Sequence, residues 1–135
     1  MPYKINEALK QKIINKLEHM YIHFNENYTV GDMLIQLSFT IYRGHTGEVI
    51  KHIAQIYNIL KKSKNLDINT FLTLIEAERE RQNKMYDNTD IPYEKWTLII
   101  LEEYGELVKD YNNDLDIQTE AIQLASLLVR FIEEY

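Results

Sequence analysis

The stretch "LIILEEYGELVKD", from Leu98 to Asp110, places acidic residues inside a run that is otherwise apolar. Its Leu, Ile and Val residues recur at helical spacing and occupy more than one side of the helix. The run from Ile122 to Ile132 is apolar in the same way. A helix that is apolar nearly all round is buried between other elements. The two segments therefore predict an all-α fold in which both lie in a bundle core, in an oligomer interface, or in both.

The remainder of the chain also favours helices, because no segment alternates in the manner of a strand. Start and stop signals predict a bundle of five to six helices. They run from Asn6 to about His23, from Thr29 to Gly44, from Thr46 through the lysines that end at Lys64, from Asp67 to Tyr86, from Pro92 to Tyr111, and from Asp116 or Thr119 to Ile132.

Composition bounds the class of protein. A chain of 135 residues is long enough for one domain with a real core. It has no cysteine, which excludes disulfides and thiolate metal sites and fits a cytoplasmic location. The start of the chain lacks the apolar region of a signal peptide, and no apolar run is long enough to span a bilayer. We therefore expect a cytoplasmic protein without a membrane partner.

Charge divides the chain into two parts. Residues 1–66 hold 9 Lys and Arg against 5 Asp and Glu, whereas residues 67–135 hold 6 against 16. The acidic part is unsuited to nucleic acid, and the basic part is suited to an acidic partner. That partner is the other half of the chain, a second subunit or another protein.

Acids on the last two helices are spaced so that they share a face. Glu103 and Glu106 are three residues apart, and Glu120 and Gln123 repeat this step on the next helix. If the helices pack antiparallel across the short turn "NNDLD", three carboxylates and an amide meet. Hard oxygen ligands without cysteine favour Mg²⁺ or Mn²⁺. The alternative is an acidic helix face that only contacts water.

Three segments together resemble a known family. They are "ERERQNKMYD" (Glu78–Asp87), "WTLIILEEYGELVKD" (Trp96–Asp110) and "EAIQLASLLVRFIEEY" (Glu120–Tyr135). Over about residues 70–135 they resemble the MazG-type all-α nucleoside triphosphate pyrophosphohydrolases, whose core is E-x-x-E followed by E-x-x-D on the next helix. The chain departs from this pattern at Gln123, which replaces the Asp, and at Tyr86-Asp87, where relatives tend to have Trp-Gly.

The resemblance implies a function and a set of roles. It implies Mg²⁺-dependent cleavage of a nucleoside triphosphate to a monophosphate and pyrophosphate, by a dimer or tetramer. It implies roles for acids and amides of the last two helices: Glu103, Glu106, Glu120 and Gln123 as metal ligands, and Glu102 and Glu103 in catalysis. Contacts to the substrate would come from Arg79, Arg81, Gln82 and Lys109. For the arginines, the alternative is pairing within their own helix with Glu76, Glu78 or Glu80.

The two parts of the chain differ in how far they can be interpreted. Residues 67–135 form the MazG-like helical region, and residues 1–66 form a helical extension of unknown role, which is a possible docking surface for a protein partner. Because Gln123 replaces an acid, a second hypothesis is a catalytically reduced binding or regulatory module, such as a phage-encoded anti-defence factor. A nucleic-acid binder is a third hypothesis that rests on charge alone, so we do not expect nucleic acid as a partner.

Overall fold

The computed structural model describes residues 2–23, 46–86 and 92–134, and these form five α-helices and no strand. We number the helices α1 (Glu7–His23), α2 (Thr46–Lys64), α3 (Ile68–Tyr86), α4 (Tyr93–Asn112) and α5 (Gln118–Glu134). The predicted all-α class is confirmed. The helix predicted after Thr29 and most of the loop predicted between α3 and α4 lie outside the described residues. Within the described ranges, no helix combines the length and apolar character that crossing a bilayer requires.

Most helices begin where capping residues predict. Side-chain oxygens of Asn6, Asp67 and Asp116 accept main-chain hydrogen bonds from the starts of α1, α3 and α5, at 2.9, 2.7 and 3.0 Å. These bonds satisfy N–H groups that have no partner within the helix. For α5 the acceptor is Asp116, and Thr119 already lies inside the helix. Helix α4 begins immediately after Pro92, one residue later than predicted.

A tight turn reverses the chain between α4 and α5. Asp114 adopts a left-handed conformation with φ of 56°, and its N–H donates to the Tyr111 carbonyl at 3.2 Å. The next N–H, of Leu115, donates to the Asp110 carbonyl at 2.9 Å. This pair of bonds is a Schellman motif, in which glycine is the usual left-handed residue. The motif sends α5 back along α4.

Helix α5 is the centre of the bundle. It packs against α2, α3 and α4, while α1 packs on α2. Every residue from Ala121 to Phe131 is buried except Gln123. At the far end of the α4–α5 pair, the Trp96 indole donates to Glu134 at 2.8 Å, so the two helices are antiparallel. The core draws on both predicted parts of the chain: Ile5, Ile13, Leu17, Val49, Ile53, Ala54, Ile56, Tyr57, Leu60, Phe71, Leu72, Ile75, Trp96, Ile100, Leu107, Ile117, Ala121, Ile122, Leu124, Ala125, Leu127, Leu128, Val129 and Phe131.

The residues before α1 run along α3. Their main chain donates to two acids one turn apart: Tyr3 to Glu80 at 2.7 Å and Ile5 to Glu76 at 2.9 Å. Between these acids, the buried Arg79 guanidinium lies 4.3 Å from the centre of the Tyr3 ring. One face of α3 is therefore occupied by the N-terminal segment, which leaves its other faces for α5 and for the site described next.

Candidate functional site

Three carboxylates from two helices meet on one side of the bundle. Glu103 and Glu106 lie on α4 and Glu120 lies on α5, and one oxygen from each lies within 4.8 Å of the other two. Glu103 and Glu120 are half-buried, and Glu106 is exposed. The antiparallel packing across the Asp114 turn thus brings together the acids whose spacing predicted a shared site. That they hold a metal ion stays a prediction.

The side chain of Gln123 contacts two of these three acids. One terminal atom of its side-chain amide lies 3.0 Å from an oxygen of Glu103 and 3.0 Å from an oxygen of Glu120. With nitrogen at that place, the amide donates a hydrogen bond to each carboxylate. Turning the amide over replaces this donor by the carbonyl oxygen, a metal ligand. Gln123 therefore faces the same two acids in either orientation of its amide.

Burial and mutual repulsion oppose the ionisation of these carboxyl groups. Burial first, and then the neighbouring charges of Glu106 and Glu120, raise the pKa of Glu103 from 4.5 to about 7. The pKa of Glu120 is also raised, first by burial and then by its hydrogen bond with the Glu106 carboxyl. Excess negative charge at this place is what a bound cation would relieve.

The dimensions of the group suit a small divalent ion. Around Mg²⁺, ligand oxygens lie about 2.1 Å from the ion, so neighbouring ligands are about 3 Å apart and opposite ligands about 4.2 Å apart. The 3.0 Å separations at Gln123 match the first distance, and the three carboxylates have oxygens within 4.8 Å of one another, an upper bound wider than either distance. To hold such an ion, Glu103, Glu106 and Glu120 would have to bring their oxygens closer together, and the Gln123 carbonyl oxygen would be a fourth ligand.

Two further acids of α4 flank the group. Glu102, predicted to act in catalysis, is exposed beside the three acids, and its charge contributes to the raised pKa of Glu103. Asp110 is half-buried, and its charge contributes to the raised pKa of Glu120. Glu102 is thus near enough to act electrostatically, while its exposure leaves it accessible to water.

The two arginines proposed to contact substrate have different surroundings. Arg81 is half-exposed and pairs with Glu78 on its own helix, at 2.5 to 3.0 Å, as the intrahelical alternative expects. Arg79 is buried, and it donates to Asn83 on its own helix at 2.6 Å and to Glu133 of α5 at 3.0 Å. Arg79 therefore joins α3 to α5, whereas Arg81 lies at the surface.

The other two residues proposed to contact substrate also differ. Gln82 is buried, and its Nε2 donates to Glu78 and to the main-chain oxygen of Gln123, both at 3.3 Å. Lys109 is exposed on α4. From the sequence, the one role predicted for Glu78 was pairing with arginine, yet its charge also contributes to the raised pKa of Glu103. Its position four residues before Gln82, on one helix face, was the available signal.

Comparison of this chain with protein-family models, with curated proteins and with solved structures gave no match.

Proposed function

We propose that this protein is a Mg²⁺-dependent nucleotide pyrophosphohydrolase that cleaves an NTP or dNTP to the monophosphate and pyrophosphate. The observation that carries the proposal is the meeting of Glu103, Glu106 and Glu120 at distances that suit a divalent ion. The resemblance of "EEYGE" and of the following Glu120–Gln123 pair to the MazG-type motif supports the choice of reaction.

The chemistry divides between the ion and the side chains. Mg²⁺ or Mn²⁺ neutralises phosphate charge when bound. Glu103, Glu106 and Glu120 hold it, and Gln123 offers a neutral oxygen, so the site carries one negative charge fewer than the family pattern. In this proposal the exposed carboxylate of Glu102 orients a water and accepts its proton.

Cations near the site supply contacts to the polyphosphate. Arg81 is half-exposed and its partner Glu78 lies near the acids, so in this proposal its guanidinium exchanges Glu78 for a phosphate. Lys109 is exposed on the helix that carries Glu106. Arg79, which is buried and bonded to α5, acts in this proposal by holding α3 in place.

One observation favours a second function, binding without turnover. When its nitrogen faces the acids, Gln123 bonds both Glu103 and Glu120 and so takes over part of the role of a cation. A site stabilised in this way has a weaker demand for an ion. This is the arrangement expected of a catalytically reduced module that binds a nucleotide or a protein.

Pyrophosphate release from a panel of NTPs and dNTPs, with Mg²⁺ or Mn²⁺, tests the proposal. We expect turnover by the wild type and its loss in Glu103→Gln and Glu120→Gln, while the matched control Glu94→Gln, on the exposed start of α4, keeps it. Gln123→Asp, which restores the missing charge, is expected to tighten ion binding and raise turnover. Nucleotide binding with no pyrophosphate release under any condition would instead support the binding module.

Self-association is part of the same proposal. Leu98 and Leu101 are exposed on α4, where 67% and 38% of their surfaces face solvent, and exposed apolar residues of this size suit a subunit interface. Light scattering on the eluting protein tests this: we expect a dimer or tetramer for the wild type and a smaller species for Leu98→Lys. A wild type that is monomeric at high concentration would contradict it.

A further inference from the structure

Gln82 carries an oxygen for which the described part of the chain provides no hydrogen-bond donor. The side chain is 3% exposed, and its Oε1 has no hydrogen-bond partner among the described residues. A buried acceptor without a donor is unfavourable and rare in native structures. It therefore marks a position where a ligand can supply the donor that residues 2–23, 46–86 and 92–134 do not.

The orientation of this amide is determined by its other end. Nε2 faces two acceptors, Glu78 and the main-chain oxygen of Gln123, at 3.3 Å each. Turning the amide over would place Oε1 against those two oxygens, so the oxygen has to lie on the opposite arm of the planar group. The arrangement thus holds an acceptor in a fixed direction, next to the residue whose side chain contacts Glu103 and Glu120.

The chemistry of an acceptor limits what it can recognise. A carbonyl oxygen cannot bond to an ionised phosphate oxygen, because both are acceptors. It needs an O–H or N–H donor, and the donors nearest to a group of metal-binding acids are the waters that a hard divalent ion retains. Outer partners of this kind orient the ligands of a metal and tune its affinity.

We infer that Gln82 is a positioning residue of the ion site, whose Oε1 accepts a hydrogen bond from a water in the shell of the bound ion. The inference rests on the proposed function, and it assigns Gln82 to the ion and not to phosphate. Gln82 acts through this water, and Glu78 and the Gln123 main chain hold its amide in place.

Titration with Mn²⁺ alone, followed by calorimetry and by the electron paramagnetic resonance of the free ion, tests the inference without nucleotide. Gln82→Met removes the acceptor at similar volume and is expected to weaken Mn²⁺ binding about tenfold. Gln82→Glu keeps an oxygen acceptor while removing both Nε2 bonds, and is expected to bind Mn²⁺ at least as tightly as the wild type. The matched control is Gln55→Met, a buried glutamine of α2 bonded to His52 at 3.0 Å, which should leave the affinity unchanged.

Each other outcome overturns the inference. If Gln82→Met and Gln82→Glu weaken binding equally, the Nε2 bonds matter and the acceptor does not. If neither changes the affinity, an ordinary buried water satisfies the oxygen. A loss that appears only with nucleotide present assigns the donor to the nucleotide. Glu103→Gln in the same titration separates failure of the inference from failure of the proposed function. If the wild type binds Mn²⁺ and Glu103→Gln does not, the proposed ion site stands even when the role inferred for Gln82 is wrong. If the wild type binds no Mn²⁺, both are refuted.

Discussion

Replacing Glu103 by glutamine is expected to stabilise the protein in the absence of divalent ions. The pKa of Glu103 rises from 4.5 to about 7 on folding, because burial and the charges of Glu106 and Glu120 oppose its ionisation. A folded-state pKa that is raised means that stability is fully present below about pH 4.5 and is lost as the pH rises through about 7. Glutamine never ionises, so the variant should not show this loss.

The size of the effect follows from the pKa difference. Each pKa unit corresponds to about 1.4 kcal/mol, so the full difference would correspond to about 3 kcal/mol. Glu103 is only half-buried, and solvent screens its interactions. We therefore expect Glu103→Gln to raise the free energy of unfolding by about 1 kcal/mol near pH 8, a rise of about 4 °C in melting temperature for a chain of this size.

Thermal denaturation followed by circular dichroism, in a metal chelator, measures the effect. The melting temperatures of wild type and Glu103→Gln should coincide near pH 4.5 and separate as the pH rises to about 8. Glu94→Gln on the same helix should be neutral or slightly destabilising, because it removes a carboxylate that interacts favourably with the positive N-terminal end of the helix dipole. The reasoning would be refuted if Glu103→Gln melts below the wild type at pH 8, or if the difference between their melting temperatures is the same at both pH values. Added Mn²⁺ should stabilise the wild type and leave the variant unchanged.

Further predictions concern the turn, the buried cation and the core. Asp114→Gly should raise the free energy of unfolding by about 0.5–1 kcal/mol, and Asp114→Val should lower it by about 1–2 kcal/mol, because the left-handed φ suits glycine and not a branched residue; destabilisation by glycine would contradict the Schellman motif. In urea, Arg79→Met should cost about 2–3 kcal/mol through the loss of its buried ion pair and of its ring contact, whereas Lys109→Met should change stability by less than about 0.5 kcal/mol. Leu107→Ala should cost about 2–5 kcal/mol because that side chain is buried, and the exposed Leu98→Ala should cost less than about 1 kcal/mol; similar costs would contradict the packing of α4.

The helices were predictable because their signals are local. Apolar spacing marks each helix, and side-chain oxygens at Asn6, Asp67 and Asp116 mark three of the starts within a few residues. The α4–α5 packing also followed from local information, since only a short turn separates two apolar helices. For the same reason the meeting of acids from these two helices could be anticipated.

Contacts between distant parts of the chain could not be predicted from local sequence signals. Helical spacing relates a residue only to its neighbours three and four positions away. The partners predicted from it for Arg79 were therefore acids of the same helix. The structure pairs Arg79 with Glu133, 54 residues later, and with the ring of Tyr3. The binding of the N-terminal main chain by Glu76 and Glu80 is equally non-local, because either acid could as well have faced water.

The contribution of α3 to the site was missed for a related reason. The six residues at 87–92 separate α3 from α4, and no sequence rule gives the rotation of one helix relative to another across such a segment. Glu78 and Gln82 could be placed on a common face of α3, but which helix that face meets became clear only from the Gln82 bond to the Gln123 main chain.

The packing of α4 on α5 has a consequence for the local opening of α4. Among the described helices, the extensive packing of α4 is with α5, and it is α4 that contributes two of the three acids. An ion bridging the two helices would add a second kind of connection between α4 and the central helix α5. Amide hydrogens of α4 should then exchange with deuterated solvent more slowly once the ion is added, while those of α5 keep the protection that the core already gives them.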